Sequence, residues 1–203
     1  MATRQSKVAN PPRARVSRID AASWIEAALA LLAERGIDAV RIEPLAELLG
    51  VTKGTFYARY PNRDAFLSAM LEYWRQESTI AVISGFGAIN EPPEERLQRI
   101  LMLPFRRSDV KERGRMEMAI RLWAHSDARA AATMREIDAY RLQYFQSVLE
   151  ANGLATEEAR ARAFLIYAYI AADGTLPGQR SEAVRARCRE LLSAAGPAAG
   201  PQG

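Results

Sequence analysis

The sequence predicts an all-α protein: an N-terminal three-helix helix-turn-helix domain followed by a helical bundle. Three observations carry this expectation. Apolar residues recur at helical spacing, and no stretch shows the strict alternation of a half-buried strand. Helix-ending residues such as Gly36, Gly50, Pro61 and Gly153 fall between the periodic stretches. The short polar stretch GVTKGTFYARYPNRDAF, residues 50–66, has the length and spacing of the turn and second helix of a helix-turn-helix.

The elements follow in order. A first helix is expected from Asp20 to Arg35, with Trp24, Ala28, Leu31 and Leu32 on one face and Gly36 as its stop. A second covers 43–49, where Pro44 in the first turn forfeits no intrahelical hydrogen bond. Gly50 and Val51 make a tight turn, Thr52 caps a third helix reaching Arg59 or Tyr60, and Pro61 ends it. Asn62 then caps a long fourth helix that carries Phe66, Leu67, Met70 and Trp74 toward Gly85. Beyond GFGAINEPP, helices are expected at 93–103, 110–124, 127–152, from Thr156 onward, and at 181–195. Met134, Ile137, Tyr140, Tyr144 and Val148 form one stripe, and Val184, Cys188, Leu191, Leu192 and Ala195 another. The resulting division is a basic arm (1–18), a helix-turn-helix domain (19–64), a helical domain (65–195, with 62–85 as connecting helix) and a loose tail (196–203).

With 203 residues, 49% of them hydrophobic, the chain can bury a substantial core. The net charge of +4 is modest but unevenly placed. Residues 1–18 hold five cations and no acid, whereas from residue 65 onward 18 basic residues nearly cancel 17 acidic ones. A basic arm leading into a basic short helix suits a polyanionic partner; a merely solvated arm is the alternative. Cys188 is the only cysteine, so neither an intrachain disulfide nor a cysteine metal cluster is available, and it reads as a small apolar packing residue. The N-terminus lacks a signal-like apolar core, and the longest wholly apolar run, 163–172, is too short to span a bilayer. The expectation is a cytoplasmic protein with no membrane association, no metal and no cofactor.

Within residues 42–60, Ala46, Gly50, Val51 and Phe56 fix the angle between two helices and leave Lys53, Thr55, Tyr57 and Arg59 for the outer surface. Such a unit presents its second helix to the major groove. Gly54, near the start of that helix, lets backbone approach either a DNA sugar-phosphate edge or the partner helix. Lys53 can donate to guanine or to phosphate, and Thr55 and Tyr57 can donate hydroxyls to phosphate. Thr52 to Arg63 holds three cations and no acid, so Arg59 and Arg63 extend the cationic surface, with Thr52 at its start. Arg41, ahead of the second helix, is either a phosphate contact or simply exposed.

These residues carry a resemblance. The stretch IEAALALLAERGIDAVRIEPLAELLGVTKGTFYARYPNRDAF resembles the N-terminal domain of TetR-family transcriptional regulators, with TKGTFY, the aromatic Tyr60 and the cation Arg63 following that family's pattern. The resemblance implies that Lys53 faces the groove, Tyr57 contacts phosphate and Arg63 clamps phosphate at the start of the fourth helix. Four positions depart from it: Val40 and Arg41 stand where Ser or Thr is common, Ala58 where a larger side chain is common, and Arg59 where histidine is common.

The region MEMAIRLWAHSDARAAATMREIDAYRLQYFQSVLEANG resembles the family's central helices more loosely. That implies a ligand-responsive bundle and a homodimer made by the last two helices. Independently, residues 163–172 are apolar on every helical face, so one face is expected against the chain itself and another against a symmetry mate. Met116, Met118, Trp123, Tyr140, Tyr144, Phe164 and Tyr167 either line a cavity for a hydrophobic or aromatic effector or pack the core. Arg121 either pairs with Glu117 one turn earlier or meets an anionic ligand group. His125 suits a helix C-terminus better than a metal.

The function expected is that of a sequence-specific regulator of double-stranded operator DNA, a repressor released by a small molecule. The alternatives are a DNA-organising protein of the same fold and, more remotely, an all-α enzyme. One histidine, one cysteine and no metal-spaced carboxylates leave the last little catalytic material.

Overall fold

The computed structural model describes residues 20–80, 83, 91–102, 110–175 and 181–193, which form helices and connecting turns and contain no strand. The basic arm, the tail and the stretch 84–90 lie outside the described residues. Helix α1 (Ala21–Arg35) starts where the Asp20 carboxylate accepts the Ser23 amide at 2.8 Å, and ends at Gly36, whose φ of 79° few side chains tolerate. A single 3-10 turn, Ile37–Ala39, leads to α2 (Ile42–Leu48). Gly50, at φ 66°, turns the chain into α3 (Lys53–Tyr57). Asn62 caps α4 (Arg63–Arg75), its side-chain oxygen accepting the Ala65 amide at 2.8 Å. Among the described residues five bounded helices follow: α5 (Pro93–Leu101), α6 (Val110–Ala124), α7 (Ala128–Ala151), α8 (Thr156–Thr175) and α9 (Glu182–Ser193).

Two apolar clusters hold these helices. The first joins Trp24, Ala28 and Leu32 of α1, Leu45, Phe56, and Phe66 and Met70 of α4 to Ile120, Trp123, Met134 and Ile137 of α6 and α7. The second joins Leu97 and Ile100 of α5, Phe145, Val148 and Leu149 of α7, and Ala163 and Ile166 of α8. Helix α7 enters both clusters, so the helix-turn-helix packs directly on the bundle.

Asp127 caps α7, accepting the Arg129 amide at 2.8 Å and the Arg129 guanidinium at 2.8 Å. The Arg129 hydrogen bond holds its carboxyl down to about 2. A depressed folded-state pKa stabilises the fold above the unfolded value near 4, and this contribution is lost as pH falls toward 2. Asp127→Ala is therefore expected to cost about 1 kcal/mol at neutral pH and to remove part of the acid sensitivity between pH 4 and 2. Urea midpoints measured across that range check it.

Several sequence expectations are corrected. Thr52 takes the N-cap position of α3 without a capping side-chain bond; its hydroxyl lies 3.3 Å from that of Thr55 instead. The fourth helix does not continue regularly: after Arg75 it widens into a π turn, Gln76–Ile80. On α7 the buried stripe is Ala130, Met134, Ile137, Phe145, Val148 and Leu149, with Tyr140 40% exposed and Tyr144 half-buried. Cys188 is half-buried, and Val184 and Leu191 are 49% and 60% exposed, because α9 buries no residue fully against its own chain.

Candidate nucleic-acid interface and the charged centre of the bundle

Phe56 is the pivot of the helix-turn-helix. Its ring is fully buried and meets Trp24 at 5.3 Å, Tyr60 at 5.4 Å and Phe66 at 5.2 Å between centroids, so α1, α3 and α4 all pack on one side chain. Tyr60 adds a hydroxyl bond to the Ala21 carbonyl at 3.3 Å. Locking Phe56 inward turns the rest of this five-residue helix outward: Lys53, Gly54 and Tyr57 are exposed, Tyr57 at 55%, while Thr55 is half-buried.

A Cβ added at Gly54 would meet only the Thr52 hydroxyl, at an ordinary 3.6 Å. Close packing against α2 therefore does not require the glycine, and its small profile is presented outward. Lys53 does not point freely to solvent: its ammonium pairs with Glu43 on α2 at 2.6 Å, both side chains being more than half exposed. That hydrogen bond holds the Glu43 carboxyl below its usual value. Arg63 donates to the Val40 carbonyl at 3.1 Å and to that of Ile37 at 3.5 Å, fastening the start of α4 to the turn before α2. Arg41, Thr52 and Arg59 are exposed around the same unit. Seven of the eight residues expected at a nucleic-acid surface are thus exposed on or beside α3, and Thr55 is half-buried among them.

Among the described residues, the expected effector residues have several different surroundings. Arg121 and Tyr167 meet at 2.8 Å. Trp123 is buried in the first cluster with Met116 packed against it, and Tyr144 packs against the second. Phe164 is 62% exposed and lines a groove of about 700 Å³ between α7 and α8 with Leu142, Gln143 and Gln146.

The bundle also holds a charged network. Arg121 grips Asp138 with two hydrogen bonds, 2.8 and 3.0 Å, and Glu117 at 2.8 Å; the Tyr167 hydroxyl donates to Asp138. Arg141 donates to Glu117 at 2.9 Å, to the Tyr167 hydroxyl at 3.2 Å and to Thr79 at 3.1 Å. Burial pushes the Tyr167 hydroxyl up to about 12, so it remains a neutral donor. Burial would also raise the Asp138 carboxyl, but hydrogen bonds from Arg121 and Tyr167 outweigh it and hold the group below its usual value.

Sequence reading missed Asp138, Arg141, Thr79 and Glu43. For Arg141 a signal existed: it lies four residues after Ile137 and four before Phe145, on the buried stripe, where an arginine needs acceptors.

Comparison with known proteins agrees with this geometry. Residues 25–70 match the profile of the bacterial regulatory proteins, tetR family. A 60-residue stretch is 30% identical to YuxN of Bacillus subtilis (strain 168), an uncharacterized HTH-type transcriptional regulator; it covers 30% of this chain and only 21% of that protein. A TetR-like transcriptional regulator from Rhodococcus sp. RHA1 superposes with a TM-score of 0.63 at 16% identity, over 91% of this chain and 96% of its own. The regulator FadR from Bacillus subtilis, crystallised with stearoyl-CoA, gives 0.63 at 19% identity, over 86% and 98%. Residues 25–70 thus resemble the tetR-family regulatory domain, and the described residues share the all-helical fold of the TetR-like transcriptional regulators.

Proposed function

We propose that the protein is a DNA-binding transcriptional repressor that works as a homodimer, each α3 entering a major groove of a pseudo-palindromic operator, and that leaves the operator when a small hydrophobic or aromatic molecule binds the helical domain. The observation that carries the reading is the face of α3: Lys53, Thr55 and Tyr57 around an unobstructed Gly54, held outward by the buried Phe56. Dimerisation through α8 and α9 is supported by their exposed Phe164, Leu165, Val184 and Leu191, whose burial is worth about 25 cal/mol per Å². The effector class is supported by the stearoyl-CoA bound in FadR.

The test is fluorescence anisotropy on DNA from upstream of the protein's own gene, against a scrambled duplex of equal length. Tight binding to the native fragment with a steep salt dependence supports a specific regulator. Equal binding to both favours a DNA-organising role, and binding to neither removes the reading.

Glu43 supplies a sharper check. Lys53 must leave Glu43 to reach DNA, so Glu43→Gln is expected to tighten binding to any duplex by about two- to fivefold, because exposed pairs are weak. In a Lys53→Met background the same change is expected to have a smaller effect. Titrations of the four variants decide it.

A further inference from the structure

Helix α4 and its π turn run roughly 27 Å, at about 1.5 Å per residue, from Asn62 beside the helix-turn-helix to Thr79 in the bundle. Among the described residues, three polar ties bind this lever to α7, in the same order along both helices. Arg129 meets Asp64 at 3.1 Å, Arg75 meets Glu136 at 3.2 Å, and Arg141 meets Thr79 at 3.1 Å. The first two are surface pairs, with the Asp64 and Glu136 side chains 77% and 63% exposed, and water and salt leave such pairs little strength. The third is different. Thr79 is 2% exposed and the Arg141 side chain 14%, so separating them strands buried polar groups.

Arg141 is also shared. Its guanidinium reaches Thr79 on the α4 extension, Glu117 on α6 and Tyr167 on α8, and lies 5.8 Å from the centre of the Tyr167 ring. Glu117 and Tyr167 are in turn held by Arg121 and Asp138. A displacement of any of these acceptors changes what Arg141 can offer Thr79. The end of α4 is the place where that change leaves the bundle, and a π turn there marks a segment whose backbone departs from regular α geometry.

We infer that Arg141 is the positioning residue of the regulator: by fastening Thr79 to the charged centre of the bundle it sets the placement of α4 and, through the shared core around Phe66 and Phe56, of the recognition helix. The inference rests on the DNA-binding function proposed above and names the joint through which that function is regulated. A ligand that shifts Glu117 or Tyr167 acts through it; one that leaves both in place does not.

The test uses the full-length protein and Thr79→Val, which keeps the shape of the side chain and removes the hydroxyl. Backbone amides of residues 70–80 are expected to exchange faster while those of α8 do not, and operator affinity is expected to change about three- to thirtyfold with an unaltered salt slope. Thr79→Ser is expected to restore both, and in an Arg141→Met background Thr79→Val is expected to add nothing. Unchanged exchange in 70–80, unchanged operator affinity, or additive effects of the two substitutions would overturn the inference. If Arg141→Met does not fold, the Thr79→Val and Thr79→Ser pair decides alone. Failure of the wild-type protein to bind any duplex would count against the DNA-binding reading, whereas the exchange measurement would still read the Thr79 joint.

Discussion

Phe56→Ala is expected to cost about 3–5 kcal/mol, a large share of the roughly 5–15 kcal/mol that holds a typical domain together. The ring is fully buried and is the common contact of Trp24, Tyr60 and Phe66, so its loss leaves a cavity that three aromatic neighbours cannot all close. Because the same ring sets which way Lys53 and Tyr57 face, DNA binding should fail together with the fold of the N-terminal helices. Phe56→Leu, which fills most of the volume, is expected to recover most of the stability. Urea denaturation followed by tryptophan fluorescence, with Trp24 in direct contact with the ring, measures the effect; a change below about 1 kcal/mol would show that the aromatic cluster is not the keystone.

The second large effect is on the partner rather than on the fold. Lys53→Ala combined with Tyr57→Phe removes one charge and one hydroxyl from each protomer of the proposed dimer, both on the exposed face of α3. Contacts of this kind contribute about 1–3 kcal/mol when directed at a base edge and less at phosphate. Over two half-sites the operator affinity is expected to fall by about 2–4 kcal/mol, roughly 30- to 1000-fold. Circular dichroism and the association state should be unchanged, because neither side chain is buried. Unaltered affinity would place the DNA-binding surface elsewhere on the molecule.

How much was legible in the sequence depended on whether the deciding interaction was local. The cap Asn62, the stops and turns at Gly36, Gly50 and Gly153, and the inward Phe56 are settled by residues a few positions apart, and the structure shows each of them; Asp20, expected inside the first helix, is instead its cap. Thr52 failed as a capping side chain because a second hydroxyl, Thr55, competes for it. The π turn after Arg75 could not be read, since it is associated with a buried contact between Thr79 and Arg141, 62 residues away. Met134, Ile137 and Val148 of the α7 stripe are buried as expected, but Tyr140 and Tyr144 were misplaced for a related reason. Tyr140 and Tyr144 look more apolar than Arg141, yet Arg141 takes the buried position because α6 and α8 supply Glu117 and Tyr167 as acceptors. The Lys53–Glu43 pair crosses the helix-turn-helix and appears only when α2 and α3 are set at their angle.

In the proposed complex two copies of α3 read two successive major grooves. Hydroxyl-radical footprinting of the protein on its upstream DNA tests this most directly. The expected result is two protected patches related by a two-fold axis, with centres about 34–36 Å apart along one face of the duplex, both lost in the Lys53→Ala, Tyr57→Phe variant. A single patch, or continuous protection without period, would contradict it.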